Sequence, residues 1–531
     1  MPKSMEPTQV YMNHLIDLST QVLAPSKWTK KGRVLGISAA IVLYLAYKIK
    51  GIVKPPKTLA HIPHVNYFTF IRCLFSDSAR NRTQQYVLPQ VTAKESNGIY
   101  LVPGVHGWTI QVTSPEAVKT VFFRTDIFPK DRTPVLSIHS LTHRFLGGPS
   151  ILNVNGQEWK NQRKVANPAF HRSMPVQLFG HLTATLFSEM EKLNTQRINI
   201  SDLVERFTLD AIGKAGFDFD FNALADRNNY WVTTYHAVMQ GIFSPGYAIF
   251  PFIEKYFLWL FPKRKEVHEN LNQFLHMVDT IIDEKRKKIQ EGKNSNDVLE
   301  ENEKDLLTLM LENEMKGDDS MTNEELKSNI CIFFLAGHDT TSSAISSAIY
   351  YMAIHQEIQQ RAREEVISIM GNEPIDILPT LEDIKQLNYI NMIIKEVLRS
   401  DAPLNAVQVR IATEDTELAG SFVPKGTRVS VNISGTHLSS KNWHNALAFD
   451  PERFSDPQQS IRSDWVPFGN GSRQCIGMNF SLAEQRVFFS MLLRKYTWTL
   501  PEDSIHKNGL KTKGVDLVSP KDLEILFKRR Y

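Results

Sequence analysis

The segment best suited to chemistry surrounds Cys475, in the run Phe-Gly-Asn-Gly-Ser-Arg-Gln-Cys-Ile-Gly at residues 468–477. Two glycines before the cysteine permit a tight loop, and Gly477 permits the close approach of a flat group. An amphipathic helical pattern follows at residues 478–495, which places Cys475 near a helix N-terminus and beside Arg473, where a thiolate is favoured. A thiolate is also the ligand that an iron centre needs for O–O cleavage. From these residues alone, a buried and inert cysteine on a turn is an equal alternative.

A second polar segment, Ala-Gly-His-Asp-Thr-Thr at residues 336–341, lies inside a long helical pattern. Thr322 and Glu325 have the spacing of a capping box, and apolar residues recur every three or four positions, which predicts a helix over about residues 323–355. A glycine in mid-helix costs ~1 kcal/mol, and Thr and Asp offer the backbone competing hydrogen bonds. Because apolar side chains bracket the segment, we interpret it as a functional polar groove; a kink with a solvated face is the alternative.

The overall composition is that of a globular protein. Of 531 residues, 42% are hydrophobic and 22% are charged, which excludes disordered, collagen-like and polytopic membrane proteins. The formal net charge of +4 is too small for this length to indicate binding to nucleic acid. The three cysteines, Cys73, Cys331 and Cys475, are odd in number, which excludes a disulfide framework and favours a reducing compartment.

The N-terminal region contains a candidate membrane anchor. The apolar run at residues 34–47 would span only about 21 Å as a helix, and extension to residue 53 closes the gap to the ~30 Å hydrocarbon core. We predict an N-terminal segment at residues 1–33, a transmembrane anchor at 34–53 and a Pro-containing hinge at 54–57. A buried core helix is the alternative. A cleavable signal peptide is disfavoured because 33 residues precede the run and no small-residue cleavage site follows it.

The orientation of this anchor is not set by charge, because Lys and Arg flank both of its ends. Two glycosylation sequons, at residues 470–472 and 479–481, flank Cys475. Sugars at these positions would obstruct a reactive centre, so we expect the catalytic domain on the cytosolic side.

The rest of the chain, residues 58–531, is expected to form one large, mainly helical domain with a small β portion. Residues 99–102 and 108–112 alternate as a hairpin. Residues 417–431 predict further strand, with a turn at the Pro-Lys-Gly sequence that begins at Pro424.

Two other stretches have a distinctive composition. Residues 292–305 are polar and charged, which predicts a surface loop. Residues 242–261 are rich in aromatic side chains. We interpret them either as a core helix or as a membrane-dipping lid over a lipophilic substrate entrance.

The segment around Cys475 resembles the haem-binding signature of the cytochrome P450 family, Phe-x-x-Gly-x-Arg-x-Cys-x-Gly, at every specified position. Other segments resemble family motifs in the family's order: Trp159 and Arg163, residues 336–341, Glu396 and Arg399, and residues 451–454. The resemblance covers about residues 57–531. It implies the cytochrome P450 fold as a single haem domain, with haem b (iron protoporphyrin IX) as the cofactor. It also implies the N-terminal anchor, the endoplasmic reticulum membrane and the cytosolic orientation of microsomal members.

The resemblance further implies residue roles around the iron. Cys475 is the proximal iron ligand, and Phe468 packs beside its thiolate. Asp339 and Thr340 relay protons to the distal oxygen. The family motif leaves the position of His338 variable, so contact between His338 and iron is not expected.

The charged residues of these motifs fall into two groups. The first is implied to neutralise the haem propionates through charge-assisted hydrogen bonds: Arg473, Arg163, Trp159 and, as an additional member, Arg410. The second is implied to form a buried structural ion network: Glu396, Arg399 and Arg453.

The implied function is a membrane-anchored haem-thiolate monooxygenase. It would insert one atom of O₂ into a lipophilic substrate such as a steroid, terpenoid, fatty acid or xenobiotic. No flavin- or nicotinamide-binding segment is recognisable, so electrons would come from a separate NADPH-dependent flavoprotein reductase. Lys160, Lys164 and Arg172 are either part of its docking patch or ordinary solvated charges.

Two alternative functions remain open. One is a haem-thiolate isomerase or dehydratase acting on a peroxide; such relatives generally lack the acid–alcohol pair, so Asp339 and Thr340 argue against it. The other is a non-catalytic haem-binding protein. It predicts no substrate-dependent consumption of NADPH when a reductase is supplied.

Overall fold

The computed structural model describes residues 53–74, 79–93, 96–104, 107–133, 138–242, 252–291, 304–316, 321–456 and 464–531, together with the isolated residues 38, 51, 244 and 247. The chain divides into two units, Met1–Lys57 and Thr58–Tyr531. Most of the predicted anchor at residues 34–53 lies outside the described residues. Among the helices that are described, none has both the length and the apolar character needed to cross a bilayer. All elements below belong to the second unit.

The helices, in chain order, are α1 (Tyr67–Leu74), α2 (Ala79–Arg82), α3 (Leu88–Thr92), α4 (Pro115–Phe123), α5 (Leu141–Leu146), α6 (Gly156–Arg172), α7 (Val176–Lys192), α8 (Ile200–Phe217), α9 (Tyr230–Ile242), α10 (Phe252–Tyr256), α11 (Pro262–Gln290), α12 (Leu306–Lys316), α13 (Asn323–Ile354), α14 (Gln356–Met370), α15 (Leu381–Gln386), α16 (Asn388–Ser400), α17 (Ile433–Leu438) and α18 (Met478–Lys495). A π-helical turn at Thr83–Val87 joins α2 to α3, and short 3₁₀ turns include Leu258–Leu260, Pro451–Phe454 and Gly471–Arg473.

The strands are short: β1 (Ile99–Gly104), β2 (Gly107–Val112), β3 (Arg197–Asn199), β4 (Arg410–Ile411), β5 (Thr416–Leu418), β6 (Ser421–Val423), β7 (Arg428–Val431), β8 (Tyr496–Thr499), β9 (Thr512–Lys513), β10 (Ser519–Pro520) and β11 (Glu524–Arg529). The largest sheet has the order β1-β2-β7-β4, in which β2 and β7 are parallel and the other pairs antiparallel. The remaining described strands pair as β3-β11-β8, β5-β6 and β9-β10.

Helix α13 lies at the centre of the larger hydrophobic core. Its N-terminus carries the predicted capping box: the Glu325 N–H donates to Thr322 Oγ1 (3.2 Å), and the Thr322 N–H donates to Glu325 Oε2 (2.9 Å). Every residue from 341 to 353 is buried, because α13 packs against α8, α11 and α16. A second, smaller core lies under the sheet that contains β1, β2 and β7.

The predicted fold class, mainly helical with a small β portion, is confirmed. The predicted helix over residues 323–355 is α13, and the predicted hairpin is β1 and β2. The stretch at residues 417–431 contains β6 and β7 on either side of its predicted turn, and a further turn at Ala419 and Gly420, which was not predicted, separates β5 from β6. Its predicted turn is present, since the Thr427 N–H donates to the carbonyl oxygen of Pro424 (3.1 Å).

Two other predictions fall partly outside the described residues. Residues 292–303 of the predicted loop are not described, and Asp305 at its end is buried, 3.1 Å from Lys285 Nζ. Of residues 242–261, the described part after α9 is the short α10 and a 3₁₀ turn. Phe252, Tyr256 and Trp259 are 50%, 59% and 72% exposed, so a core helix is the wrong interpretation of this part.

Candidate active site

The loop before Cys475 is a closed backbone turn. The Cys475 N–H donates to the carbonyl oxygen of Phe468 across 2.8 Å, which joins the two ends of the motif. Gly469 and Gly471 have φ values of +68° and +67°, which glycine adopts without strain. A Cβ on Gly471 would lie 3.0 Å from the carbonyl oxygen of Phe122. The glycine pattern therefore reflects a backbone requirement of this loop.

The Cys475 side chain is accessible, yet burial among protein atoms raises the pKa of its thiol. Both observations hold if the sulfur faces an internal space rather than the outer surface. The Gly477 N–H and the positive charges of Arg163 and Lys130 act against burial and lower the pKa of the thiol. Arg473, which was predicted beside the thiolate, is not among the groups that lower this pKa; its guanidinium donates to the carbonyl oxygen of Val154 (2.6 Å).

Four cationic side chains meet beside this loop and form what we term the cationic cluster: Lys130, Arg163, Arg410 and Arg473. Each donates a hydrogen bond to a backbone carbonyl oxygen: Lys130 Nζ to Leu152 (2.8 Å), Arg163 Nη2 to Gln474 (3.0 Å), Arg410 Nη1 to Phe128 (2.9 Å) and Arg473 Nη2 to Val154 (2.6 Å). These bonds fix the positions of the four groups and leave most of their donors for other partners.

No member of the cationic cluster pairs with a carboxylate in the described part of the chain. Arg163 Nε and Arg473 Nη1 are buried there without a hydrogen-bond partner. Burial, with repulsion from neighbouring arginines, lowers the pKa of Arg473 to about 10, and burial lowers the pKa of Arg410 to about 10. For the same reasons the pKa of Lys130 falls well below its usual value. Buried like charges need a counter-charge. The cluster therefore indicates an anionic ligand with more than one negative group.

The structure brings the other sequence-predicted residues to the same place. The Arg473 guanidinium lies 4.6 Å from the centroid of the Trp159 ring. Phe468 is half-buried and packs 6.3 Å from Trp465. Lys130 was missed by sequence reasoning because it lies between α4 and α5 in a stretch without a recognisable motif.

The polar segment at residues 336–341 is continuous α-helix, so the kinked alternative is not observed. Thr340 Oγ1 donates to the carbonyl oxygen of Ala336 (2.6 Å), which satisfies the hydroxyl within the helix. Ala336 is exposed, and Asp339 and Thr340 are half-buried, whereas the helix is buried on both sides of this turn. One face of α13 is thus open here, as the predicted polar groove requires.

Asp339 belongs to a compact group of ionisable side chains. Burial raises its pKa, but the adjacent His338 imidazole together with His236 and Lys513 outweighs burial, and the pKa of Asp339 is lowered. His338 Nδ1 lies 3.1 Å from Asp339 Oδ1, and polar atoms of Glu205, His338 and Asp339 all lie within 4.8 Å of one another. Because this imidazole already faces a carboxylate, we interpret the group as an ion pair with a neighbouring acid. Glu205 was missed by sequence reasoning, since it lies on the distant helix α8.

The predicted structural ion network is assembled. Glu396 and Arg399 are fully buried with Oε2 and Nε 2.7 Å apart, and Arg453 Nε lies 3.4 Å from Glu396 Oε1. Arg399 Nη1 also donates to the carbonyl oxygen of His437 (2.9 Å). His437 Nε2 in turn accepts from the Val466 N–H (2.9 Å), so the network reaches the segment that leads into the Cys475 loop.

Comparison with known proteins agrees with this geometry. The family model for cytochrome P450 matches residues 69–527. The chain is 29% identical over 443 residues to 11-oxo-beta-amyrin 30-oxidase of Medicago truncatula, covering 78% of each protein. It is 28% identical over 396 residues to cytochrome P450 4A10 of Rattus norvegicus, covering 72% of this chain and 75% of that protein. It is 28% identical over 398 residues to taurochenodeoxycholic 6 alpha-hydroxylase of Sus scrofa, covering 73% and 76%.

Among solved structures, the heme domain of cytochrome P450DA superposes with a TM-score of 0.74 at 23% identity, over 88% of this chain and 98% of that one. This likeness shows the fold. The family model and the named oxidases and hydroxylases extend it to the class of enzyme and to its cofactor. The chain therefore belongs to the cytochrome P450 family and is a monooxygenase whose cofactor is haem, iron protoporphyrin IX.

Proposed function

We propose that this protein is a membrane-anchored haem-thiolate monooxygenase that inserts one atom of O₂ into a lipophilic substrate, using electrons from a separate NADPH-dependent flavoprotein reductase. The observation that carries the proposal is the cationic cluster beside Cys475, which is buried without a carboxylate partner in the described chain. The two propionates of haem would supply the missing counter-charge. The residues present therefore fit haem.

Several side chains would hold the cofactor. When bound, haem with a thiolate ligand supplies the activation of O₂. Cys475 would ligate the iron, while the Gly477 N–H stabilises negative charge on the sulfur. Phe468 would shield the sulfur from water. The uncommitted donors of Arg163, Arg410, Arg473 and Lys130, with Trp159 beside Arg473, would bind the propionates.

Asp339 and Thr340 would handle protons, which the reaction consumes because one oxygen atom of O₂ leaves as water. Thr340 Oγ1 now donates to the carbonyl oxygen of Ala336, and a side-chain rotation would free this proton for the groove. Asp339 holds a proton-exchanging carboxyl group next to it on the same open turn of α13. The pair therefore binds and passes protons, a role that needs no movement of the helix.

A lipophilic substrate and a membrane location are supported by two observations. Relatives are named 11-oxo-beta-amyrin 30-oxidase and taurochenodeoxycholic 6 alpha-hydroxylase, and a substrate with a large hydrocarbon skeleton is proposed by analogy. Exposed aromatic side chains at Phe252, Tyr256 and Trp259 suit a contact with membrane lipid. We propose a single-pass anchor at residues 34–53 in the endoplasmic reticulum membrane, a hinge at 54–57 and a cytosolic haem domain at 58–531.

The reductase is proposed to dock on the face next to the Cys475 loop. Helix α6 carries Trp159 and Arg163 toward that loop, and Lys160, Lys164 and Arg172 are exposed on the same helix. Basic side chains on this face would steer an acidic flavoprotein surface. Electrons would then enter on the side of the thiolate.

Spectroscopy and turnover test the proposal together. Reduced haem-loaded protein exposed to carbon monoxide should show the red-displaced Soret band of thiolate-ligated iron, and Cys475→His should retain haem without this band. A panel of lipophilic compounds is then screened for the spectral shift that accompanies loss of iron-bound water. With reductase and NADPH, hits should be hydroxylated. Product formed from a hydroperoxide without reductase would instead support an isomerase or dehydratase. Absence of substrate-dependent NADPH consumption would support a non-catalytic haem protein.

A further inference from the structure

A line of ionisable side chains connects the protein surface to Asp339. Lys513 on β9 is 58% exposed, and its Nζ lies 3.9 Å from Glu205 Oε2. Glu205 on α8 is 29% exposed, and its Oε1 lies 3.6 Å from His236 Nδ1. Polar atoms of Glu205 also lie within 4.8 Å of His338 and Asp339. The exposed fraction falls along this line, from Lys513 to the His338 side chain at 2%.

His338 is the buried step of the line. Its Nδ1 lies 3.1 Å from Asp339 Oδ1, but neither ring nitrogen makes a well-formed hydrogen bond within the described residues. The ring packs edge-on against Tyr235, with centroids 5.6 Å apart. An imidazole can accept a proton at one nitrogen and release one from the other. A buried imidazole that pairs with Asp339 and has a Glu205 carboxylate oxygen within 4.8 Å is arranged for that exchange.

We propose that Glu205 and His338 form a proton-entry relay that recharges Asp339 from solvent during turnover. The proposal rests on the proposed role of Asp339 in proton delivery. Neither residue is placed against haem, so both are positioning residues that act through Asp339.

The charges around the relay support this assignment. The groups that face it are Glu205 and Asp202 on α8, Tyr235 and His236 on α9, Asp339 on α13 and Lys513 on β9. Asp202 forms ion pairs with Arg206 (Nη2 to Oδ2, 2.9 Å) and Arg227 (Nη2 to Oδ1, 3.6 Å). Burial lowers the pKa of His338, but Asp339 and then Glu205 outweigh burial, so its pKa is raised above 6.5. The two carboxylates therefore favour the protonated form of the imidazole.

The overall reaction sets the requirement for protons: RH + O₂ + NADPH + H⁺ gives ROH + H₂O + NADP⁺. Oxidation supported by hydrogen peroxide, RH + H₂O₂ giving ROH + H₂O, takes up no proton from solvent. A relay defect therefore lowers only the first reaction, whereas a folding or packing defect lowers both.

The experiment compares haem-loaded Glu205→Gln, His338→Gln, Glu205→Asp and Glu191→Gln with the parent protein. Glu191 is a matched control, because it is a half-exposed glutamate whose Oε1 lies 3.2 Å from Lys495 Nζ. NADPH-supported turnover should fall about tenfold in Glu205→Gln and His338→Gln, with a larger solvent deuterium isotope effect and unchanged peroxide-supported turnover. Glu205→Asp and Glu191→Gln should keep at least half of the parent rate. The parent rate should fall as pH rises through the raised pKa of His338, and His338→Gln should lack this fall.

Two outcomes would overturn the relay: parental NADPH-supported rates, isotope effects and pH profiles in both Gln variants, or an equal loss of peroxide-supported turnover. Asp339→Asn separates this inference from the proposed function. If Asp339→Asn turns over NADPH as fast as the parent, the proton role of Asp339 fails. If Asp339→Asn is slow while both relay variants are unaffected, only the relay fails.

Discussion

The hydroxyl oxygens of Thr341 and Ser481 lie 2.9 Å apart and share a hydrogen bond between α13 and α18. Thr341 follows directly on the Asp339–Thr340 pair, and α18 begins three residues after Cys475. Gln485 Nε2 also donates to Ser481 Oγ (3.1 Å). One partly buried polar contact thus joins the helix of the polar groove to the helix that follows the cysteine loop.

Removing each hydroxyl in turn should show how much the hydrogen bond between Thr341 and Ser481 stabilises the fold. Thr341→Val keeps the side-chain shape and removes the hydroxyl, and Ser481→Ala removes the partner. A double-mutant cycle should give a coupling energy of about 1 kcal/mol, because Ser481→Ala leaves the buried Thr341 hydroxyl without this partner, whereas Ser481 keeps Gln485 as a partner after Thr341→Val. The measurement is the free energy of unfolding in urea of the haem-loaded protein. Additive effects of the two changes would show that the contact contributes nothing.

The Glu396–Arg399 pair should be far more important for stability than an exposed pair of the same spacing. Arg399→Met leaves the Glu396 carboxylate buried, with Arg453 Nε at 3.4 Å as its remaining ion-pair contact, and should cost ~3–5 kcal/mol. Lys385→Met breaks the exposed Lys385–Glu382 pair and should change stability by less than about 0.5 kcal/mol. The stability of both variants is measured by their haem content after expression and by their urea midpoints. Similar losses in the two variants would contradict the structural role of the buried network.

Local features of the chain were predictable from sequence because neighbouring residues determine them. The capping box of Thr322 and Glu325 marks the start of α13, and the glycines at 469 and 471 mark the loop that needs positive φ. Strands β5 and β6 were not predicted as separate strands because the turn at Ala419 and Gly420 has no proline to mark it. An apolar run such as residues 252–261 does not reveal whether it faces the core or the surface, since both use the same residues.

Long-range partners were not predictable in this way. The role of Arg163 came from a family resemblance, since nothing in its neighbourhood shows that it donates to Gln474. Lys130 and Glu205 reach the site through tertiary packing from α4–α5 and α8, and no sequence pattern links them to Cys475 or Asp339. The contribution of such residues to a site is recognised only when their charge, their burial and their distances in the folded structure are considered together.

Stability should fall at acid pH through His437. Burial, and then repulsion by Arg399, lowers the pKa of His437 from 6.5 to about 3. Between these values the unfolded chain binds a proton that the folded protein does not, so stability falls as pH decreases from 6.5 toward 3. From pH 7 to pH 5 this group alone should remove about 2 kcal/mol. His437→Gln keeps an acceptor for the Val466 N–H and should show a shallower pH dependence of the urea midpoint; an unchanged slope would contradict the assignment.

Gly471→Ala should damage the cysteine loop by more than the strain of positive φ alone. Gly471 and Gly426 have similar φ values, +67° and +82°, but a Cβ at Gly426 meets no atom within 4 Å, whereas one at Gly471 lies 3.0 Å from the Phe122 carbonyl oxygen. Gly426→Ala should therefore cost ~1 kcal/mol from backbone conformation. Gly471→Ala should cost more and should lower the haem-loaded fraction, as measured by absorbance relative to protein. Equal effects would show that the contact with Phe122 is accommodated without cost.

Lys130 should contribute to haem retention although no sequence motif contains it. Burial of its ammonium group, and then repulsion by Arg473, Arg410 and Arg163, lowers its pKa. Lys130→Met removes repulsion among the cations, which stabilises the haem-free state. It also removes an attraction to bound propionates, so the haem-bound state becomes less stable relative to the haem-free state. The rate of haem transfer to excess apomyoglobin should rise several-fold. Lys119→Met changes the net charge equally at an exposed position on α4 and should leave the rate unchanged. Equal rates in the parent and Lys130→Met would show that the cationic cluster binds the cofactor without Lys130.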